Sequence, residues 1–560
     1  MEIGSGICFS QIFSASLNPG VSVNRMKKSQ IKILFSFLLI ASLFVSGAIV
    51  YENLNNENML RAPVTEFVSS LDPHARIMID NNIDFNVTAI NEGWAGNGSE
   101  TNPFIIEGYV ISSEYTCIYI HDTTFHFIIR NCEFTKSSND YTYALSFRNT
   151  INGMVNYSLI HDKIGGITLE DCSDITIMNS NFTDIQYSGI EFWSSTNCNV
   201  TNNNFSDTGV DIIGYTPSGW QHYFSGNTVN GKELGYFRDL NDVVIDGSLY
   251  GQIILAECTG CTVSNAAISN ITTAIAFGHC VSCNVSFNEV SWNRNGILLS
   301  ECLDVSAFNN TVGPLNDYGI HLNDSEACFV AFNEVFDSQQ AGILCVKGQD
   351  NILQTNRVYN TQYSGIACWE GLAVHVLNNT VFENENGIEI QMTPSSTALH
   401  NIVENNTGVG ITVGWGISGC VVYGNHIGWN TGGNALDDGS SNSWDNSINF
   451  GNFWNDYSGT GVYSIPGGAG SVDNYPLKYG DDIPITTTST TTTTTTTTST
   501  STTTTTSTTT TTDTTTTTST PTDLTGTSGG AGLDFTLVIL ISGAGTAVII
   551  VVIIFLLKQK

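Results

Sequence analysis

Cysteine is the first side chain here whose spacing suggests chemistry. Cys258-x-x-Cys261 and Cys280-x-x-Cys283 are two C-x-x-C pairs set 22 residues apart, among 14 cysteines in all. In a compact globular chain that spacing describes a zinc site. Their neighbours in the sequence pattern dilute the signal. Cys172 and Cys302 share their column with Ser195, Ser325, Gly348 and Gly371, and Cys198 and Cys328 share theirs with Val305 and Val374. Three readings stand side by side: small core residues at corners, disulfides between stacked turns in an oxidising compartment, or a metal cluster. Histidine forms no column, because His279, His321, His375, His400 and His426 fall at five different places in the pattern. His121 and His126 straddle a turn, where two exposed imidazoles are expected.

All of these residues ride on a repeat of 22–23 residues. Gly-Ile recurs at Gly166, Gly189, Gly296, Gly319, Gly342, Gly365, Gly387 and Gly410. One position after the glycine stand Ile167, Ile190, Ile253, Ile275, Ile297, Ile320, Ile343, Ile366, Ile388 and Ile411. Two further columns follow, one of valine (Val263, Val285, Val330) and one of asparagine plus valine (Asn288-x-Val290 to Asn401-x-Val403). Three short strands per repeat, each with a buried column, describe one turn of a parallel β-helix with rungs about 4.8 Å apart. A helical solenoid is excluded, because the apolar residues lack a 3.6-residue period. The stacked asparagines are expected to bond amide to amide.

Strand alternation places a second set of residues outward. That column reads Thr168, Glu191, Ile254, Ala276, Leu298, His321, Leu344, Ala367, Glu389 and Thr412. Its middle is apolar, and no two acids fall on neighbouring rungs. An exposed run of Ile254, Leu298 and Leu344 would be a contact surface, unless the insert between Ile213 and Gly251 covers it. Trp369 and Trp415 end strands two rungs apart, where they either stack on sugar rings or pack into core and loops.

The ends read differently. Residues 1–50 hold an N-terminal extension and a secretory signal, with Met26-Lys27-Lys28 before an apolar run and Met26 as an alternative start. A linker at 51–76 leads to the β-helix at 77–430, which opens on Ile77-Met78-Ile79-Asp80. An aromatic block at 431–480 closes it, and Asp437-Asp438 belongs to that closure. Residues 481–532 are a Thr/Ser-rich stalk without a core, 533–557 a membrane-spanning helix, and 558–560 a cytoplasmic tail. The formal charge of −33 speaks against nucleic acid and anionic membrane surfaces. Asn-x-Ser/Thr acceptors occur at Asn86, Asn97, Asn156, Asn181, Asn199, Asn204, Asn270, Asn284, Asn309, Asn323, Asn378 and Asn405.

The repeats resemble right-handed parallel β-helices of the pectin-lyase-like fold, and specifically the NosD-type family. The resemblance rests on Gly96-Asn97-Gly98-Ser99 to Glu107-Gly108, Asn227-Thr228-Val229-Asn230-Gly231-Lys232, Ala435-Leu436-Asp437-Asp438-Gly439, Trp444 and Gly451-Asn452-Phe453-Trp454-Asn455-Asp456-Tyr457. Stalked, anchored forms look like archaeal surface proteins. The resemblance implies copper delivery for some members, and enzymes of this fold use paired acids, or a basic residue near calcium, to cleave polysaccharide.

The reading as a whole is an all-β, right-handed parallel β-helix solenoid, extracellular, anchored by one C-terminal span. Its expected role is non-enzymatic: a scaffold or adhesin binding glycan or protein on the helix flank. The candidate ligand-binding residues are Trp369, Trp415, Leu298, Leu344, Glu191 and Glu389, and no catalytic residue is assigned. No cofactor is expected. The resemblance leaves copper or calcium open, with Cys258, Cys261, Cys280 and Cys283 as the metal candidates. Copper delivery and polysaccharide cleavage are the alternatives.

Overall fold

The computed structural model describes residues 71–136 and 142–481. The leader, stalk and spanning segment expected from the sequence lie outside them. Among the described residues no helix is long and apolar enough to cross a membrane.

The described chain is an all-β parallel solenoid. Each glycine of the Gly-Ile step fits a space that a side chain would overfill. A Cβ on Gly296 would lie 2.6 Å from the carbonyl oxygen of Gly319, and one on Gly319 would lie 2.5 Å from that of Gly342. The isoleucines after them are fully buried, each worth roughly 1.5–3 kcal/mol. The asparagine column is a continuous ladder. Asn288, Asn310, Asn333, Asn356, Asn379, Asn401 and Asn425 each donate Nδ2–H to the Oδ1 of the next, at 2.9–3.0 Å. Each Oδ1 also takes the backbone N–H of the asparagine one rung back, as Asn356 does from Asn333 at 3.1 Å. The ladder therefore satisfies buried turn amides that no strand pairing reaches.

The chain is not one uniform coil. A 17-stranded sheet runs through it. Inside that sheet the Thr228–Val229 strand pairs antiparallel with Lys232–Arg238, across a turn at Asn230-Gly231, where both φ values are positive. From there Lys232–Arg238 pairs parallel with Tyr250–Ala256, and the regular repeats follow. Val229 sits opposite Lys232, so the two share a face. Alternation puts Leu234 and Tyr236 on that same face, and register puts Ile254 beside Tyr236. The core face of the first coil is thus the outward face of the second. The core changes sides of the sheet at the hairpin.

This corrects two sequence readings. The insert does cover the start of the outward strip, with Trp220 over Gly278, but not as a loop: it holds the last strands of one coil and the first strands of another. The column does not pass from Ile190 to Ile253 either, because Ile190 pairs with Val210, at the end of a separate six-stranded sheet.

Both ends are closed. The Asn82–Glu92 helix, which the sequence reading missed, caps the first rung. The Asn81 side chain accepts from Ile83 and Asp84 N–H, and Gly93 ends the helix in the left-handed region. Phe85 is buried beneath it, stacked 4.9 Å from Phe104. At the far end Trp444 and Trp454 are buried, and their indole N–H groups donate to Asp437 and Asp473 at 2.8 and 2.9 Å. Asp438 accepts from Gly468 N–H at 2.7 Å.

Replacing Asn356 with Ala removes acceptors for Asn333 and the donor to the Val330 carbonyl. The expected loss is about 2–4 kcal/mol in denaturant unfolding, with the slope unchanged. A loss below about 1 kcal/mol would show that the ladder is not what satisfies these turns.

Candidate functional site

The place where the core changes sides has an unusual edge to satisfy. Val210–Ile213 is the terminal strand of its six-stranded sheet. Gln252, fully buried, caps it: Oε1 accepts the Val210 N–H at 2.9 Å, and Nε2 donates to the Val210 and Thr273 carbonyls at 2.6 and 2.9 Å. The Thr272 hydroxyl donates to the Tyr187 carbonyl at 2.9 Å. Trp220 lies over Gly278, where a Cβ would be 2.1 Å from its ring. The two coils are locked together here.

The same lock assembles charge. Glu191 and Asp211 are in-register neighbours on adjacent strands, and both point outward. The sequence reading found no such pair, because it took Ile254 as the rung after Glu191. The two are only 3% and 5% exposed. The Asp211 carboxylate accepts from the Thr273 hydroxyl at 2.6 Å and from Ser188 at 3.4 Å. Glu191 accepts from the Tyr143 hydroxyl. Arg294 reaches both acids from the second coil, with Nη1 3.7 Å from Glu191 Oε1 and 3.7 Å from Asp211 Oδ2. Its guanidinium also lies 5.6 Å from the Tyr187 ring centroid. Burial pushes the Asp211 carboxyl above the usual carboxylate range, Glu191 adds to that, and Thr273 and Arg294 oppose it. Burial raises the Tyr143 hydroxyl too, helped by Glu191. His321 is held down to about 4, by burial and then by Arg294.

Arg294 also lines an open cleft of about 1290 Å³ in the corner between the coils. Turns of the first coil supply Asp162, Asp184, Tyr187 and Asp207, and turns of the second supply Asn270, Trp292, Leu315 and Asp317. Several of these belong to a turn column in the left-handed region. Asp162, Asp184, Asp207 and Asn270 suit it; Trp292 (φ 61°) and Leu315 (φ 58°) do not. Trp292 is a bulky side chain at such a turn, 52% exposed beside the cleft. The sequence signal was present but shared: Trp292, Leu315, Glu383 and Trp429 all break a column of Asn and Asp.

The expected ligand residues fall elsewhere. Leu298, Leu344 and Glu389 do share one outward column of the long sheet. It is not an open apolar strip. Ile254 and Ala276 are buried in the main core at the end of the first coil. Leu298 is half-buried against the same core, and Leu344 and Ala367 are buried beneath Tyr318, Val346 and Trp369. Trp369 is therefore packed down. Trp415, 81% exposed, stands apart from the cleft. Glu389 accepts from Ser364 at 2.7 Å. Of the six, Glu191 alone adjoins the cleft's Arg294.

All thirteen described cysteines are buried, with free thiols. Cys258 and Cys280 stack in contact, as do Cys261 and Cys283, whose thiol accepts the Cys261 N–H at 3.3 Å. Contact with Cys280 pulls Cys258 down to about 7, while burial raises Cys280. His121 is buried against Tyr119, not exposed. Of the glycosylation acceptors, Asn86, Asn97, Asn204, Asn270, Asn309, Asn378 and Asn405 are exposed; Asn156, Asn181, Asn199, Asn284 and Asn323 are half-buried.

Two family models match the chain: the periplasmic copper-binding protein (NosD) over residues 304–459 and the right-handed β-helix region over residues 73–234. No curated protein matches. Similar solved structures include a double mutant of the periplasmic alginate epimerase AlgG, at 12% identity, 66% of this chain, 84% of that one and TM-score 0.32. A mannuronan C-5 epimerase A-module from Azotobacter vinelandii shows 10% identity, 73% and 97% coverage and TM-score 0.26. The Dettilon tailspike protein shows 13%, 67%, 67% and 0.23. Likeness at this level carries nothing about substrate.

Copper can be tested against the residues present. Among the described residues no three His, Cys, Asp or Glu are gathered to hold a metal ion, the four stacked thiols included. Within residues 304–459 the imidazoles are spread out and engaged: His321 with Asn295, His375 with Thr397, His426 stacked on Phe453. Burial raises the Cys345, Cys368 and Cys420 thiols, away from the thiolate a metal needs. Within residues 304–459, then, the described residues show no cluster of three such groups for copper.

Because the folded Asp211 carboxyl is raised, the unfolded chain loses that proton first. Rising pH therefore costs stability between the ordinary carboxylate range and the raised value. Asp211→Asn should remove that loss, so that its melting temperature gains on the native protein as pH rises through this window. An equal difference at every pH would contradict the assignment.

Proposed function

We propose that this chain, a right-handed parallel β-helix protein of the NosD type, is a glycan-binding cell-surface protein whose site is the corner cleft. The observation that carries the reading is Trp292, half-exposed at a strained turn on the cleft wall. Tyr187 faces the same cleft, so two aromatic rings and Arg294 meet in one groove. Aromatic faces take the apolar faces of sugar rings, while fixed polar groups take their hydroxyls. The volume exceeds the range of about 300–1,000 Å³ usual for single small ligands, which suits several sugar units. Surface exposure is part of the proposal and rests on the leader, the Thr/Ser-rich stalk and the apolar segment after it. The acids beside the cleft are sealed behind Arg294, which favours binding over cleavage.

The test is retention of the full-length chain on immobilised polysaccharides, with the eluate assayed for released sugar. Retention without release is expected, weakened roughly tenfold by Trp292→Ala and unchanged by Trp415→Ala. Sugar release, or loss of retention with Trp415→Ala alone, would overturn the reading.

A further inference from the structure

Arg294 is held in an uncommon way. Two carboxylate oxygens lie 3.7 Å from its Nη1, beyond hydrogen-bond range. The guanidinium makes no hydrogen bond among the described residues, and its side chain is 39% exposed on the cleft. Its N–H donors therefore remain for a ligand, while its charge is answered from behind by Glu191, with the raised Asp211 carboxyl adding charge wherever it is ionised.

The charges around it decide what that ligand can be. The cleft lining carries Asp162, Asp184, Asp207 and Asp317. Its other cations are Lys136 and Lys163. Lys163 is buried, with its ammonium donating to the Ser113 and Tyr115 carbonyls at 3.2 and 3.1 Å. A carboxylate-bearing sugar would meet four aspartates, against which stand only the exposed Lys136 and a guanidinium already faced by two acids. A neutral sugar meets the reverse: its oxygens accept from Arg294, and its hydroxyls donate to the aspartates.

Resting on the glycan-binding reading, we infer that Arg294 is the specificity-determining contact of the cleft, that its ligand is a neutral sugar and not a uronate, and that Glu191 and Asp211 are positioning residues. The two acids set Arg294 in place and cancel its attraction for anions.

The experiment is titration calorimetry of the full-length chain with two probe sets of equal length. One set is neutral gluco-, manno- and galacto-hexasaccharides; the other is hexamannuronate, hexaguluronate and hexagalacturonate. At least one neutral probe should bind roughly tenfold or more tighter than every uronate. The Glu191→Gln/Asp211→Asn double variant should shift the ratio toward uronates by about tenfold, and about 0.5 M salt should shrink that shift. Arg294→Met should lose binding of both sets. A merely structural role for the two acids would lower the melting temperature and leave the ratio unmoved, and that result overturns the inference. So does tighter uronate binding by the native chain. Should the double variant not fold, Glu191→Gln alone must move the ratio in the same direction. Failure of every probe to bind the native chain would sink the glycan-binding reading itself, whereas a uronate preference sinks only this refinement.

Discussion

Val229 faces Lys232 across a hairpin, and strand alternation carries that fact through the long sheet. Parallel pairing elsewhere holds one face of the sheet to one core. A single antiparallel step moves the core to the opposite face. The outward residues Tyr236, Ile254 and Ala276 then become the wall that closes the first coil, so an exposed apolar strip turns into an internal seam. The reversal also leaves an edge, Val210–Ile213, whose backbone groups must be satisfied from the neighbouring coil. Gln252 meets that need, and Thr273 joins it by bonding Asp211.

Function, on this account, grows from the seam. Two coils stacked end to end on one continuous core would leave no corner. Offset across the sheet, their turns face one another and make the cleft. The lock that seals the edge brings Glu191, Asp211 and Arg294 together, though they come from different coils and lie 83–103 residues apart in pairs with Arg294. Burial makes ionised acids costly there, and Arg294 offsets part of that cost while keeping its donors turned to the cleft.

Much of the regular structure was legible in the sequence. Gly-Ile spacing, the isoleucine column and the asparagine ladder are direct consequences of rung stacking, and each repeats often enough to be read without coordinates. The helix at Asn82–Glu92 was missed because it occurs once, although Asn81 and Gly93 mark its ends. The reversal was missed because Asn230-Gly231 reads as any hairpin turn; which face each strand then buries depends on pairing partners that no local pattern names. The acid pair went unseen for the same reason, since Asp211 follows Glu191 by a shortened rung outside the Gly-Ile pattern. Ile254 and Leu344 looked exposed because alternation gives direction but not what lies above a residue, and the same gap left Trp369 open between packing and exposure. Trp292 was one of four exceptions to a column of Asn and Asp, with Leu315, Glu383 and Trp429, a signal that has meaning only once the backbone there is known to be left-handed and the cleft is seen beside it.

Hydrogen exchange with and without a retained oligosaccharide would test the central claim most directly. The account predicts slowed exchange in the facing turns at 184–188, 270–273 and 292–295, with 365–370 and 412–416 unchanged. Protection confined to those last two segments would place the ligand on the flank at Trp369 and Trp415 and contradict a site built by the reversal.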